Sequence, residues 1–218
     1  MSARDNILAR IRKAHGRAGA GPTEAEIAGV RAAIANHDIG PQPSIARPAD
    51  PLAHFRAECD RLATTHAHAE RIEDVPREVA RYLEANALEK RIVLWHELAH
   101  LDWAASGIAA EDRPARGDDK TGLTGCYCAI AETGTLLLLS GAATPRSTAL
   151  LPETHIAVAR RSRMVATLEE SFALLRRELG ELPRAAWFVS GPSRTADIEQ
   201  TMVIGAHGPY RVHVILVP

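Results

Sequence analysis

The sequence predicts an α/β protein, a mostly parallel sheet with flanking helices, preceded by a helical extension. Three observations carry this. After residue 66, short apolar runs alternate with amphipathic helical stretches, the signature of βαβ units. The leucine run 136–139 lacks polar alternation, as expected of a central strand covered on both faces. Residues 188–209 read as a strand, a tight Gly-Pro turn and a helix start, the junction at which open α/β sheets place ligands. The predicted division is residues 1–66, an N-terminal helical extension with a Pro-rich arm over 37–51, and residues 67–218, the α/β domain.

Each element follows from local pattern. Ile7, Leu8 and Ile11 stripe a helix over 3–14, which Gly16, Gly19 and Gly21-Pro22 end. Thr23 and Glu26 form a capping box for a helix reaching about Asn36. Leu52, Phe55, Cys59 and Leu62 are spaced for the buried face of a helix over 52–65. Apolar runs at 67–72, 91–95, 134–140, 156–160, 185–190 and 211–217 read as strands, with helices over 74–88, 97–106 and 168–180. Residues 107–122 are polar and turn-rich and read as a long loop, a feature usually functional or mobile.

Composition excludes several classes. Apolar residues at 46% and charged residues at 24% are ordinary globular values. A net charge of −1 lacks the basic excess of a nucleic-acid surface. Cys59, Cys126 and Cys128 do not make a secreted disulfide framework. The first fifteen residues have no apolar core of a secretory signal, and no run approaches the roughly eighteen apolar residues of a membrane span. The expectation is a cytoplasmic protein.

Several motifs could carry chemistry. In 188–209, Ser193, Arg194 and Thr195 follow Gly191-Pro192 and would add hydroxyls and a cation to the free amides of a helix N-terminus, an anion site. The same residues would also cap a purely structural helix, with Asp197 and Glu199 set against its dipole. His207, in a tight turn at a strand end, is a general acid/base candidate that could instead bond within its own turn. In AETGT, Glu132 is a carboxylate pressed on an apolar strand, Thr133 and Thr135 offer hydroxyls, and Gly134 allows close backbone approach. The bland alternative gives Glu132 a backbone or Arg partner. Gly122 and Gly125, with Lys120 just before them, could form a small-ligand loop but read rather as a turn. His155, a weaker acid/base candidate, reads rather as a surface residue.

His96-Glu97-Leu-Ala-His100 matches a short zinc-hydrolase pattern, with Glu97 as base. The strand-like run 91–95 enters His96 directly, so histidines at a strand end and a helix start are favoured, and no metal site is assigned. Cys126 and Cys128 read as small buried thiols, since an iron-sulfur cluster generally requires four ligands.

The blocks CAIAETGTLLLLS (128–140) and GPSRTADIE…GAHGP (191–209) resemble the LUD domain family, within it the lactate utilization protein C group. The resemblance spans roughly the second half of the chain. It implies a fold like that of the NagB/RpiA/CoA transferase-like proteins and a subunit of a bacterial system oxidising L-lactate to pyruvate. It further implies iron-sulfur partner subunits, so that any cluster is expected in a partner and no cofactor in this chain. The site expectation is a small-anion pocket where Glu132, Thr133, Gly134 and Thr135 meet Gly191, Ser193, Arg194, Thr195 and His207, with no residue assigned a catalytic role. The alternatives are a stand-alone CoA-transferase-like or sugar-phosphate-isomerase-like enzyme using Glu132, the zinc hydrolase, and an assembly module docking through the N-terminal helices and arm.

Overall fold

Two reciprocal capping boxes start the chain. Ser2 Oγ accepts the Asp5 amide at 3.2 Å while Asp5 Oδ2 accepts the Ser2 amide at 2.9 Å. Thr23 and Glu26 repeat the exchange at 3.2 and 2.8 Å. They open α1 (Ala3–Ala14) and α2 (Glu24–Asn36). The computed structural model describes residues 2–16, 21–36, 40–41, 47–196 and 201–218, so most of the arm 37–51 lies outside the described residues. The chain divides into two units, Met1–Ile45 and Ala46–Pro218, and the second carries the sheet. No helix among the described residues is long and apolar enough to cross a membrane.

In the second unit, Asp50 caps α3 (Pro51–Arg61), accepting the Leu52 and Ala53 amides at 3.0 Å. There follow β1 (Thr65–His68), α4 (Val75–Ala85), β2 (Arg91–Leu94), β3 (Ala109–Asp112), β4 (Thr121–Gly125) and β5 (Cys128–Ile130). Next come β6 (Thr135–Leu139), α5 (Ser147–Leu150), β7 (Thr154–Arg160), β8 (Met164–Val165) and α6 (Leu168–Glu178). The chain ends with β9 (Ala186–Val189), β10 (Arg194–Thr195), β11 (Val203–Ile204) and β12 (Arg211–Val217).

The main sheet has six strands in the order β1-β12-β7-β4-β2-β3, and every pair in it is parallel. Side chains alternate between its faces, as the period of two requires. Ile215, Val217, Ile156 and Val158 pack with Val75, Val79 and Leu83 of α4. Val214, Leu216, Ala157 and Ala159 pack the other way, on Phe55 and Cys59 of α3 and on a second sheet. That second sheet, β8-β5-β6-β9, is antiparallel except for the β5/β8 pair. Its outer face carries Cys128, Ile130 and Leu137 against Leu174 and Leu175 of α6. The layers are therefore α4, parallel sheet, α3 with second sheet, and α6.

Several expectations change. The leucine run is buried on both faces, but as β6 it lies in the antiparallel second sheet. Two-sided burial fixes composition, not strand direction. The stretch 97–106 is not one α-helix but two 3-10 turns, His96–Leu98 and Ala104–Ser106. Asp102 accepts the Ala105 amide at 3.0 Å, a local bond that competes with the helical ladder. The loop 107–122 contains edge strand β3 and the start of β4. The pair Gly122/Gly125 is strand, not turn: a Cβ at Gly122 would fall 2.0 Å from the Thr148 carbonyl, so glycine there admits α5. After the Gly-Pro turn comes no helix start but the ribbon β10/β11, because Ser193 N–H donates to Pro209 and Ser193 O accepts from Gly205. Asp197 and Glu199 lie outside the described residues.

Candidate functional site

Parallel strands deliver their carboxyl ends to one edge, where ligands of open α/β sheets bind. Here β2, β4 and β7 end at Leu94, Gly125 and Arg160. Just beyond them opens a cleft of about 520 Å³, walled by Trp95, Glu97, Cys126, Tyr127, Leu139, Arg160, Arg163, Leu179, Glu181 and Pro183, with Ser140 and Thr144. That volume lies within the roughly 300–1,000 Å³ of small-molecule pockets. Trp95 is fixed by its indole N–H donating to the Pro145 carbonyl at 3.0 Å and by edge-on contact with Trp187.

Most polar groups of the cleft are already engaged. Arg163 forks onto Glu178 at 2.7 and 2.8 Å and donates to the Tyr127 carbonyl at 3.1 Å. Tyr127 Oη donates to Glu178 at 2.7 Å. Arg163, then Tyr127, hold the Glu178 carboxyl down to about 2. The hydroxyl of Thr144 donates to the Leu139 carbonyl, and Ser140 Oγ accepts the Ala185 amide.

Glu97 and Arg160 differ. Glu97 leaves the first 3-10 turn with its carboxyl over Gly125, where a Cβ would lie 1.9 Å from Oε1. Although the residue remains solvent-accessible, surrounding atoms crowd its carboxyl, and that desolvation raises its pKa. Arg160 and the Gly125 amide act in the opposite direction. Arg160 closes no ion pair with a described residue. Burial keeps Cys126 and Cys128 as thiols, raising Cys126 well above the ordinary range and Cys128 to about 11.

A second cavity of about 400 Å³ lies on the other side of the β2 end, with His96, Asp112 and Arg113 in its wall. His96 Nδ1 meets Asp112 Oδ2 at 2.6 Å, which raises the histidine pKa. His96 and Glu97 therefore turn to different partners, and no three His, Cys, Asp or Glu among the described residues gather as a metal ligand set.

The structure joins the two sequence blocks, but along a seam. Thr135 Oγ1 contacts Thr133 Oγ1 at 2.7 Å and Ser190 Oγ at 2.6 Å, beside the antiparallel β6/β9 pairing. Glu132 accepts the Leu168 amide at 3.0 Å, the backbone partner considered for it, at the start of α6. Gly134, at φ +60°, packs on the α3 backbone. Gly191, at φ +81°, abuts the Leu62 carbonyl, which also accepts Arg194 at 2.7 Å. Ser193 uses its backbone to hold the ribbon base, Thr195 is half-buried in β10, and His207 is exposed beyond β11. None of these residues walls the cleft. His155, expected at the surface, is fully buried in β7 with Nε2 at 2.8 Å from Thr124 Oγ1. Its strand is flanked by β4 and β12 in the sheet.

Sequence reasoning missed Trp95, Cys126 and Arg160 as cleft residues. The signal was available: each stands at or just after the end of a parallel strand. The carboxyl-end rule was applied to 185–190, which is β9 of the antiparallel sheet.

The structure is an α/β domain built on a parallel sheet, with a cleft at the carboxyl ends of its strands. Residues 52–217, from α3 through β12, match the LUD domain, and the chain belongs to that family. It is 31% identical over 177 residues to lactate utilization protein C of Exiguobacterium sp., covering 76% of this chain and 77% of that protein. Lactate utilization protein C of Bacillus licheniformis is 32% identical over 119 residues, covering 53% of this chain and 50% of that protein. The chain thus spans about half the length of that relative. A crystal structure of a DUF162 family protein from Deinococcus radiodurans superposes with a TM-score of 0.57 at 25% identity, covering 80% of this chain and all of that one.

Proposed function

We propose that this chain is a subunit of an L-lactate utilisation system, acting beside iron-sulfur subunits that carry the electrons from lactate to an acceptor. The observation that carries the reading is the alignment along three quarters of both chains with the lactate utilization protein C of Exiguobacterium sp.. Oxidising lactate to pyruvate releases two electrons and two protons. An electron-carrying cluster generally needs thiolate ligands. Such clusters generally take four ligands and this chain has three cysteines, which supports placing the clusters in the partners.

The enzyme alternative built on Glu132 has less support, because that carboxylate is engaged at the start of α6. Reconstitution tests the proposal: lactate-dependent reduction of a dye by the purified partner subunits, with and without this chain. Omission is expected to abolish reduction. Undiminished reduction in its absence overturns the reading.

A further inference from the structure

We propose that the cleft at the carboxyl ends of β2, β4 and β7 binds a 2-hydroxycarboxylate with an apolar side chain, Arg160 holding the carboxylate and Glu97 the hydroxyl. The placement rests on the cleft alone. The choice of hydroxy acids among carboxylates rests on the lactate reading above.

Arg160 ends β7 and Glu97 follows β2, and both wall the same cleft. They are close enough for the guanidinium charge to act on the carboxyl, yet they form no ion pair within 4.0 Å. A cation and an acceptor that wall one cleft without pairing suit a ligand with an anionic end and an adjacent donor. Arg presents a fork that matches a carboxylate. The other cation, Arg163, is taken by Glu178 and the Tyr127 carbonyl, so it holds the wall rather than a ligand.

Glu97 is seated there by an omission. The three atoms nearest a Cβ at Gly125 all belong to the Glu97 side chain, at 1.9, 2.9 and 3.5 Å. Any larger residue at 125 would push the carboxyl off the strand end. Crowding in that seat raises the pKa of the carboxyl, against the opposing pull of Arg160 and the Gly125 amide.

Size narrows the ligand. A three-carbon acid occupies only part of about 520 Å³, and the remaining wall includes Trp95, Leu139, Leu179 and Pro183. Hydroxy acids longer than lactate should bury more apolar surface and bind more tightly.

The test is calorimetric titration of the full chain with propionate, L-lactate, L-2-hydroxybutyrate, L-2-hydroxycaproate, L-2-aminobutyrate and inorganic phosphate, melting temperatures being followed in parallel. Affinity is expected to rise about two- to fourfold per added methylene. Lactate should exceed propionate by about tenfold, the hydroxyl being the difference. Arg160→Met should weaken every acid by about ten- to hundredfold. Gly125→Ala should melt near the parent chain yet lose the preference of lactate over propionate.

Binding that ignores both substitutions overturns the site. Tighter binding of 2-aminobutyrate or of phosphate overturns the ligand class. No heat and no melting shift with any acid overturns both. A chain that binds none of them, while its omission still abolishes lactate-dependent dye reduction, removes the site and leaves the function. The reverse pair of results removes the function and leaves the site.

Discussion

At Gly134 and at Gly125 an added Cβ would strike a neighbour, but the two neighbours are of opposite kinds. At Gly134 a Cβ would meet the backbone of Cys59 and Glu58 at 2.9 Å, with φ at +60°. At Gly125 it would meet only the far end of Glu97. The first glycine belongs to the seam, where AETGT presses on α3 and meets Ser190, and where Gly191 and Arg194 meet Leu62 just after α3. The second belongs to the sheet edge, where Glu97 and Arg160 wall an open cleft. Glu132, Thr135 and Arg194 of the seam are held by protein partners, whereas Arg160 at the edge closes no ion pair with a described residue.

The largest predicted effect concerns the sheet between these regions. Burial lowers His155 and His213 from 6.5 to about 4, so both are neutral when folded at pH 7. Below pH 6.5 the unfolded chain takes up the protons first, which favours unfolding as pH falls. Their stabilisation is present above pH 6.5, is lost progressively toward pH 4, and changes no further below that. The loss is about 3 kcal/mol per histidine at about 1.4 kcal/mol per tenfold change in proton affinity. Urea midpoints at pH 7, 5.5 and 4.5 check it, and a flat profile contradicts it.

Gly134→Ala comes next, with an expected loss of about 3 kcal/mol from the positive φ and the backbone overlap together. Chemical denaturation measures it. A melting temperature equal to the parent's would mean the seam yields easily, and the comparison would lose its base.

Glu132→Ala should cost about 1 kcal/mol, the loss of one acceptor at the start of α6, because Thr167 still caps that helix by accepting the Glu170 amide. Hydroxy-acid binding should be unchanged. Lost binding with unchanged stability would move the ligand site to the seam. The smallest effect on the fold is that of Gly125→Ala, below about 1 kcal/mol in urea, since a flexible side-chain end can swing away.

Legibility followed the same divide. Periodicity and caps located α1, α2, α3, α4 and α6, because those signals act over three or four residues. Strands β2, β6, β7, β9 and β12 were equally visible as apolar runs. Strand β3, with the sequence AAED, and β4, with two glycines in TGLTG, carry little strand propensity and exist through their neighbours. The AETGT and GPSRT blocks were read as a pair, and Thr135 meets Ser190, the residue just before GPSRT. That they meet as a packed seam was not readable, since a Thr or Gly looks alike whether it packs or binds.

What the sequence determined by itself was the class of fold, the helices α1, α2, α3, α4 and α6, and the family to which it belongs. Those rest on local patterns and on long ordered motifs. What only the tertiary structure decided was direction and assembly: which strands run parallel, which edge gathers their carboxyl ends, and that Glu97 and Arg160, 63 positions apart by their numbers, face one cleft. The physical reason is that burial specifies apolar character alone. Strand direction and the meeting of distant side chains come from hydrogen-bond register across the whole sheet, which no short window of residues contains.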